Sequence, residues 1–219
     1  IGKMAASIAH EFGNPLLGIR FALRDVQQRE GLDPEDKKLL YLAEEECDRM
    51  RKLIRGLQQF NRPTNQKKTT FDLHRLLDDI CALNHNLLTK YTVTLNRQFA
   101  GTPALLTAVE DQIRQVCINL LLNATDAMAA KGGLLRLRTE VRAAEIVFSF
   151  GDNGPGIREE DLERIFEPFF TTKSAAEGTG LGLPVSYGIV KAHGGSIQVH
   201  SAPGDTVFTV VLPKGEVAS

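Results

Sequence analysis

With 219 residues and 42% hydrophobic content, the chain is long enough to bury a core in one or two domains. Its 26 Lys and Arg against 27 Asp and Glu leave a net charge of −1, which excludes the strongly basic surface of a nucleic-acid binder. No apolar run reaches the roughly 18–20 residues that span a bilayer, and the three cysteines, Cys47, Cys81 and Cys117, are too scattered for a zinc site or a disulfide framework. The expectation is a soluble segment in a reducing, cytoplasmic setting that makes no membrane contact itself.

From Ile1 to Val26, the residues Ile1, Met4, Ile8, Phe12, Leu16, Ile19, Leu23 and Val26 recur every three or four positions and predict a helix. After a break at "EGLDP", a second stripe runs from Pro34 to Phe60 through Leu39, Ala43, Cys47, Met50, Ile54, Leu57 and Phe60. Together they predict an antiparallel hairpin. Two helices bury little, so two copies joined in a four-helix bundle cover both stripes, and a homodimer is expected. The pattern starts inside a helix without a cap, so a longer protein is expected, with sensing or membrane-anchoring segments upstream.

"SIAHEFGNPLLGI" at Ser7–Ile19 interrupts this helix with polar residues and a proline. At about 100° per residue, His10 points away from the apolar stripe, toward water. A surface histidine without a role is the ordinary alternative. Its neighbours favour chemistry: Glu11 adjoins it, Asn14 lies one turn on, and Pro15 carries a cost of about 3 kcal/mol in a helix interior. An exposed imidazole beside an acid suits nucleophilic attack, with the acid taking the ring proton.

"NRPTNQKKTT" at Asn61–Thr70 reads as a linker. Beyond it, Phe71–Lys90 is predicted helical, Tyr91–Phe99 alternates like a strand, and Glu110–Lys131 is a strong helix ended by Gly132 and Gly133. "LLRLRTEVR", "EIVFSF", "SIQVHSA" and "TVFTVVLP" predict four more strands. The fold class expected is α+β: the helical hairpin over 1–61, a linker over 62–70, and over 71–219 a sandwich of helices on a mixed, mostly antiparallel sheet.

Four stretches of the second domain belong together. "QVCINLLLNATDAM" sets Asn119, Asn123 and Asp126 on one helix face. "GDNGPGI" places Asp152 at a strand end, before Gly154 and Gly156, where backbone can approach a ligand. "FEPFFTTK" ends in Thr171, Thr172 and Lys173, and "GTGLGL" at Gly178–Leu183 opens a helix with amides suited to an anion. Each alone has a structural reading as turn, core or loop. In this order they supply a carboxylate for an amine, amides for phosphates and side-chain oxygens for a hard cation, the parts of a nucleotide site.

These residues resemble the catalytic core of sensor histidine kinases, a dimerisation and phosphotransfer hairpin followed by the Bergerat-type ATP-binding domain shared with gyrase and MutL ATPases. "SIAHEFGNPLLGI" is similar to the H box, "NLLLNATDAM" to the N box, "DNGPGI" to G1, "FEPFFTTK" to the F box and "GTGLGL" to G2. The resemblance implies that His10 accepts a phosphoryl group from ATP, Glu11 draws its proton, and Asn14 positions water for dephosphorylating the partner. It implies Mg²⁺ on Asn123, the adenine amine on Asp152, and contacts to nucleotide or its lid from Asp126, Gly154, Gly156, Thr171, Lys173, Gly178, Gly180, Leu181 and Gly182. At Asn119 the ATP-hydrolysing relatives carry a glutamate, and an amide cannot take a proton from water. The nucleotide is therefore expected to serve transfer to His10, and from there to an aspartate of a response-regulator receiver domain.

Two rival readings are a module that binds nucleotide only as a signal, disfavoured by His10 and Glu11, and a gyrase-like clamp, disfavoured by Asn119 and by the hairpin itself. Phe12-Gly13 departs from the H-box pattern, and the glycine lowers helix propensity by about 1 kcal/mol. Asp205 in "APGDTVF" stands where the family often has glycine, an acid expected to disturb a phosphate-side turn.

Overall fold

The computed structural model describes residues 2–28, 31–60, 67–173 and 178–215; the side chains of 2–14, 49 and 51–60 lie outside the description. Most of the expected linker, residues 61–66, lies outside it too. The chain divides into two compact units, Ile1–Pro63 with Pro168–Leu181, and Thr64–Glu167 with Gly182–Ser219.

In the first unit, α1 (Gly2–Gln27) and α2 (Pro34–Phe60) form the hairpin. Helix α2 starts where Pro34 fits the first helical position and the Asp33 carboxylate accepts the Asp36 N–H at 2.8 Å. Ion pairs from Arg20 to Asp48 at 3.2 Å and Arg24 to Glu44 at 2.7 Å mark the antiparallel register. Partly exposed pairs of this kind contribute little stability, about 0–1 kcal/mol, so apolar burial carries the hairpin. Helix α1 continues through Pro15, and Leu16 beside it is buried.

The apolar stripes are only partly covered within the single hairpin. Leu16 and Cys47 are buried and Leu40 and Ala43 partly so, whereas Ile19, Leu39 and Met50 are exposed together with Leu17, Phe21, Tyr41 and Leu42. A helix apolar over more than one narrow stripe has more than one face to cover, and the period alone does not say which residues face the neighbouring helix.

The second unit has one five-stranded sheet and one two-stranded sheet. The large sheet runs in the order β2 (Val93–Gln98), β4 (Gly133–Val141), β5 (Glu145–Asp152), β7 (Asp205–Pro213), β6 (Ser196–Ala202). Strand β2 is parallel to β4, and every other pairing is antiparallel, as the mixed sheet expected from sequence. Alternation puts Thr206, Phe208, Val210 and Leu212 of β7 on the buried face. Against that face pack α5 (Glu110–Ala127) and α7 (Gly182–Ala192), with Ile113, Leu120, Leu121, Phe148, Phe150, Leu135 and Leu137 in the core.

The predicted single helix over Phe71–Lys90 is replaced by three elements. Thr69–Asp72 is a strand, β1, paired with β3 (Leu105–Ala108). Helix α3 (Leu73–Leu83) starts where Asp72 turns its carboxylate back onto the His74 N–H at 3.0 Å. It ends at Asn84, whose side chain donates to the Ile80 carbonyl at 2.8 Å before α4 (His85–Lys90) begins. The four-residue α6 (Glu159–Leu162) was not expected either. The small sheet is tied to the large one where Thr107 donates to the Lys214 carbonyl at 2.8 Å and Lys214 to the Ala144 carbonyl at 2.9 Å.

At the far end of α7, the Val109 N–H donates to His193 Nε2 at 3.2 Å while His193 Nδ1 reaches the Ile189 carbonyl at 2.9 Å. Accepting on Nε2 and donating from Nδ1 is one neutral tautomer of the ring, and it clasps the start of α5 to the end of α7. The chain then reverses through Gly195, where a methyl group would meet the Val211 carbonyl oxygen, Leu212 Cδ2 at 2.7 Å and Val190 Cγ1 at 3.2 Å. Gly195→Ala is therefore expected to destabilise the second unit by about 1–3 kcal/mol, the usual cost of overpacking. Its thermal unfolding midpoint by circular dichroism should fall by several degrees; an unchanged midpoint would contradict this packing.

Candidate functional site

Strand β5 brings an apolar run to its end at Asp152, whose side chain is 3% exposed. The Gly154 N–H donates to Asp152 Oδ1 at 2.9 Å, and Gly154 leaves room for this because a methyl group there would stand 2.8 Å from Oδ1 and 3.0 Å from Ala127 Cβ of α5. Gly156 takes φ +87°, and its α-carbon faces the Ala202–Pro203 backbone so closely that a methyl group would sit 2.9 Å from the Ala202 carbonyl oxygen. Burial pushes the Asp152 carboxyl above the ordinary carboxylate range, against the opposing influence of the Gly154 N–H and the Arg136 guanidinium.

Across the strand pair, Thr206 stands opposite Asp152, also 3% exposed. Its hydroxyl shares a 2.8 Å hydrogen bond with Ser201 Oγ, which accepts the Ile157 N–H at 2.8 Å. A buried carboxylate beside a buried hydroxyl makes a polar notch in an otherwise apolar wall, the pattern of a site that selects a ligand by a few hydrogen bonds.

Helix α5 carries the amide face. Asn119 and Asn123 are half-buried and Asp126 is exposed. Asn119 Nδ2 donates to the Gly182 carbonyl at 3.0 Å and to Ser186 Oγ at 3.2 Å, and the Ser186 hydroxyl donates to the same carbonyl at 2.9 Å. Asn119 thus has a task the sequence did not suggest: its amide fixes the first turn of α7, which Gly182 opens.

In the unit that contains the hairpin, Phe169 and Gly180 form a tight crossing. Phe169 has φ +69° and Gly180 φ +64°, and the Phe169 N–H donates to the Gly180 carbonyl at 2.9 Å. A methyl group on Gly180 would lie 2.6 Å from the Phe169 carbonyl oxygen, so only glycine fits there. The Lys173 N–H donates to Thr171 Oγ1 at 3.2 Å. Gly178 lies against both residues, with Lys173 Cβ 3.1 Å from where a methyl group would be. Leu181 is buried. The "FEPFFTTK" and "GTGLGL" stretches therefore meet through backbone, while residues 174–177 between them lie outside the described residues. His10, Glu11 and Asn14 sit on helical backbone in α1 and their side chains lie outside the described residues.

Three residues escaped the sequence reading: Thr206, Ser186 and Arg136. Each is an ordinary residue for its element and acquires meaning only from what the register sets opposite it. Asp205 opens β7 directly after the β6–β7 turn, and its carboxylate pairs with Arg136 of β4, the strand beside β5.

Residues 1–66 match the family model described as the His Kinase A (phospho-acceptor) domain, and residues 108–216 match the histidine kinase-, DNA gyrase B- and HSP90-like ATPase model. The chain is 35% identical over 216 residues to the sensor histidine kinase ZraS of Klebsiella oxytoca, an alignment that covers 97% of this chain and 46% of ZraS. It therefore spans about half the length of that relative. Among solved structures, the catalytic domain of histidine kinase ThkA is 32% identical with a TM-score of 0.61, covering 67% of this chain and 95% of that one. Histidine kinase ThkA in complex with response regulator protein TrrA is 28% identical with a TM-score of 0.71, covering 98% of this chain and 62% of that one.

Asp152 yields a prediction independent of any ligand. Its carboxyl holds a proton more tightly in the folded state than in the unfolded chain, so stability falls as pH rises from the ordinary carboxylate value through the raised one. Above the raised value the buried charge opposes folding. Asp152→Asn, which keeps an oxygen for the Gly154 N–H, is expected to raise the unfolding midpoint at pH 7, with the gain shrinking below that window. A lower midpoint at pH 7 would contradict the assignment.

Proposed function

The chain belongs to the sensor histidine kinases, and on that footing we propose that it carries an autokinase core in which ATP bound by the 71–219 domain phosphorylates His10 of the 1–61 hairpin, across the 62–70 linker. The observation that carries this reading is the buried Asp152 carboxylate at the end of β5, held by Gly154 and backed by Thr206, inside the stretch that matches the ATPase model. A carboxylate so placed accepts a hydrogen bond from an exocyclic amine, as on adenine.

In the proposed reaction a ring nitrogen of His10 attacks the γ-phosphorus in line. The new N–P bond forms as the bond to the bridging β–γ oxygen breaks, the electron pair leaves with ADP, and Glu11 takes the imidazole proton. Thr171, Lys173, Gly178, Gly180 and Leu181 are assigned to the phosphates and the segment covering them, with Lys173 offsetting phosphate charge. Asn119 keeps the start of α7 in place and offers no base to activate water, so hydrolysis is not favoured.

Asn123 is assigned to Mg²⁺. Among the described residues no group of three or more His, Cys, Asp or Glu is placed to hold a metal ion. One amide oxygen with phosphate oxygens and water is a donor set that suits Mg²⁺, which supplies charge neutralisation on the transferring phosphoryl group. The phosphoryl group is then passed to an aspartate of a receiver domain, in keeping with the complex that ThkA forms with response regulator protein TrrA. Glu11 and Asn14 would also position water for the reverse, dephosphorylating role. The exposed Leu17, Phe21, Leu39, Tyr41 and Leu42 favour a second copy packing on the hairpin, since a patch of this kind marks an interface. No helix among the described residues is long and apolar enough to cross a membrane. We assign the core to the cytoplasm and sensing to a segment upstream.

The test is incubation of the chain and its His10→Gln variant with γ-labelled ATP and Mg²⁺. Acid-labile, alkali-stable label on the parent alone is the expected result. Label on both, or on neither while ATP binds, overturns His10 as the acceptor.

A further inference from the structure

Arg136 of β4 stands opposite Gly151 of β5, and Gly151 stands opposite Val207 of β7. Gly151 leaves a track with no side chain, and the guanidinium lies along it: a methyl group there would be 3.3 Å from Arg136 Nε and 3.5 Å from Nη2. The guanidinium ends on the Asp205 carboxylate at the start of β7, so one ion pair bridges the two strands that flank β5. Successive residues of a strand face opposite ways. The pair therefore lies on the sheet face behind Gly151, while the adjoining Asp152 faces the buried side.

The same corner is tied by backbone. The Gly204 N–H, in the β6–β7 turn, donates to the Gly154 carbonyl at 2.9 Å, and Thr206 pairs with Asp152. The turn that presents Asp205 and the turn that presents Asp152 are thus one structure. Arg136 from β4 and Asp205 from β7 are the charged groups that act on Asp152, with opposite sign, while α5, whose Ala127 lies against Gly154, carries Asp126 on its last turn. The two side chains of the pair are 27% and 48% exposed, so solvent weakens its field without abolishing it.

We propose that Arg136, anchored by Asp205 across Gly151, is a positioning residue for nucleotide recognition: the ion pair ties the two strands beside β5 and so holds the turn that presents the Asp152 carboxylate to the amine of a 6-aminopurine. A protonated Asp152 would turn one acceptor oxygen into a donor and lose the charge that strengthens a bond from that amine. Arg136 favours the ionised form, and Asp205 holds Arg136 in place while tempering its charge. The inference rests on the ATP-binding reading above and adds a specificity device to it.

Two readouts on the whole chain test it: the titration of the Asp152 side-chain carboxyl followed by carbon-detected NMR without nucleotide, and ATP affinity by calorimetry across pH. Arg136→Met leaves Asp205 uncompensated and is expected to move both the carboxyl titration and the acid limb of ATP binding to higher pH. Asp205→Asn is expected to move both lower, and the double variant to return toward the parent. If Arg136→Met unfolds, Asp205→Asn still decides the matter through its opposite shift. Titration unchanged in these variants overturns the inference. If it is unchanged while Asp152→Ala loses ATP, the inference fails alone; if Asp152→Ala binds ATP as the parent does, the nucleotide reading of the site fails first.

Discussion

Asp152 holds a carboxylate where there is almost no water to solvate it, at the inner end of the central strand of a sheet. A charge in such a place is costly unless its oxygens are bonded, and much of the surrounding sequence follows from meeting that requirement. Gly154 has no side chain because its N–H must reach Oδ1. Gly156 adopts a left-handed conformation so the chain can leave the strand against the Ala202–Pro203 backbone. Thr206 fills the opposite register position with a hydroxyl that is itself bonded to Ser201 Oγ. An arrangement that gives up stability at one point is common at functional sites, and the raised Asp152 titration is its physical mark.

The amide face of α5 is subject to a second constraint. Asn119 binds the Gly182 carbonyl and Ser186, so the helix carrying the expected metal-side amide also fixes the first turn of the helix that follows the glycine-rich stretch. At the opposite end the same two helices are clasped by His193 and Val109. Two polar contacts, one at each end of α7, tie it to the middle and to the start of α5 and help set the register that hydrophobic packing alone leaves loosely specified.

Legibility in the sequence followed periodicity. The hairpin helices and the strands β6 and β7 repeat their apolar residues long enough to be read, and Asp152 announces itself as an acid between an apolar strand and paired glycines. Four-residue strands such as β1 and β3 offer no period, so Phe71 and Asp72 read as helix from the sequence, whereas the Asp72 cap starts α3 at Leu73. Leu39 and Met50 belong to the stripe expected to be covered by a second copy, and in the single chain they are exposed. Arg136 and Asp205 lie 69 positions apart, and only the strand order brings them together. The half-exposed Asp205 carboxylate finds its counter-ion on β4, a partner no local reading of its own turn reveals.

The proposed nucleotide site turns on recognition of an amino group by Asp152. The measurement that bears on it most directly is calorimetric binding of ATP and GTP to the whole chain and to Asp152→Ala at neutral pH. Recognition of the amine by Asp152 requires that ATP binds the parent, that GTP, with a carbonyl in place of the amine, binds far more weakly, and that Asp152→Ala loses ATP. Equal binding of ATP and GTP, or full ATP affinity in Asp152→Ala, would contradict it.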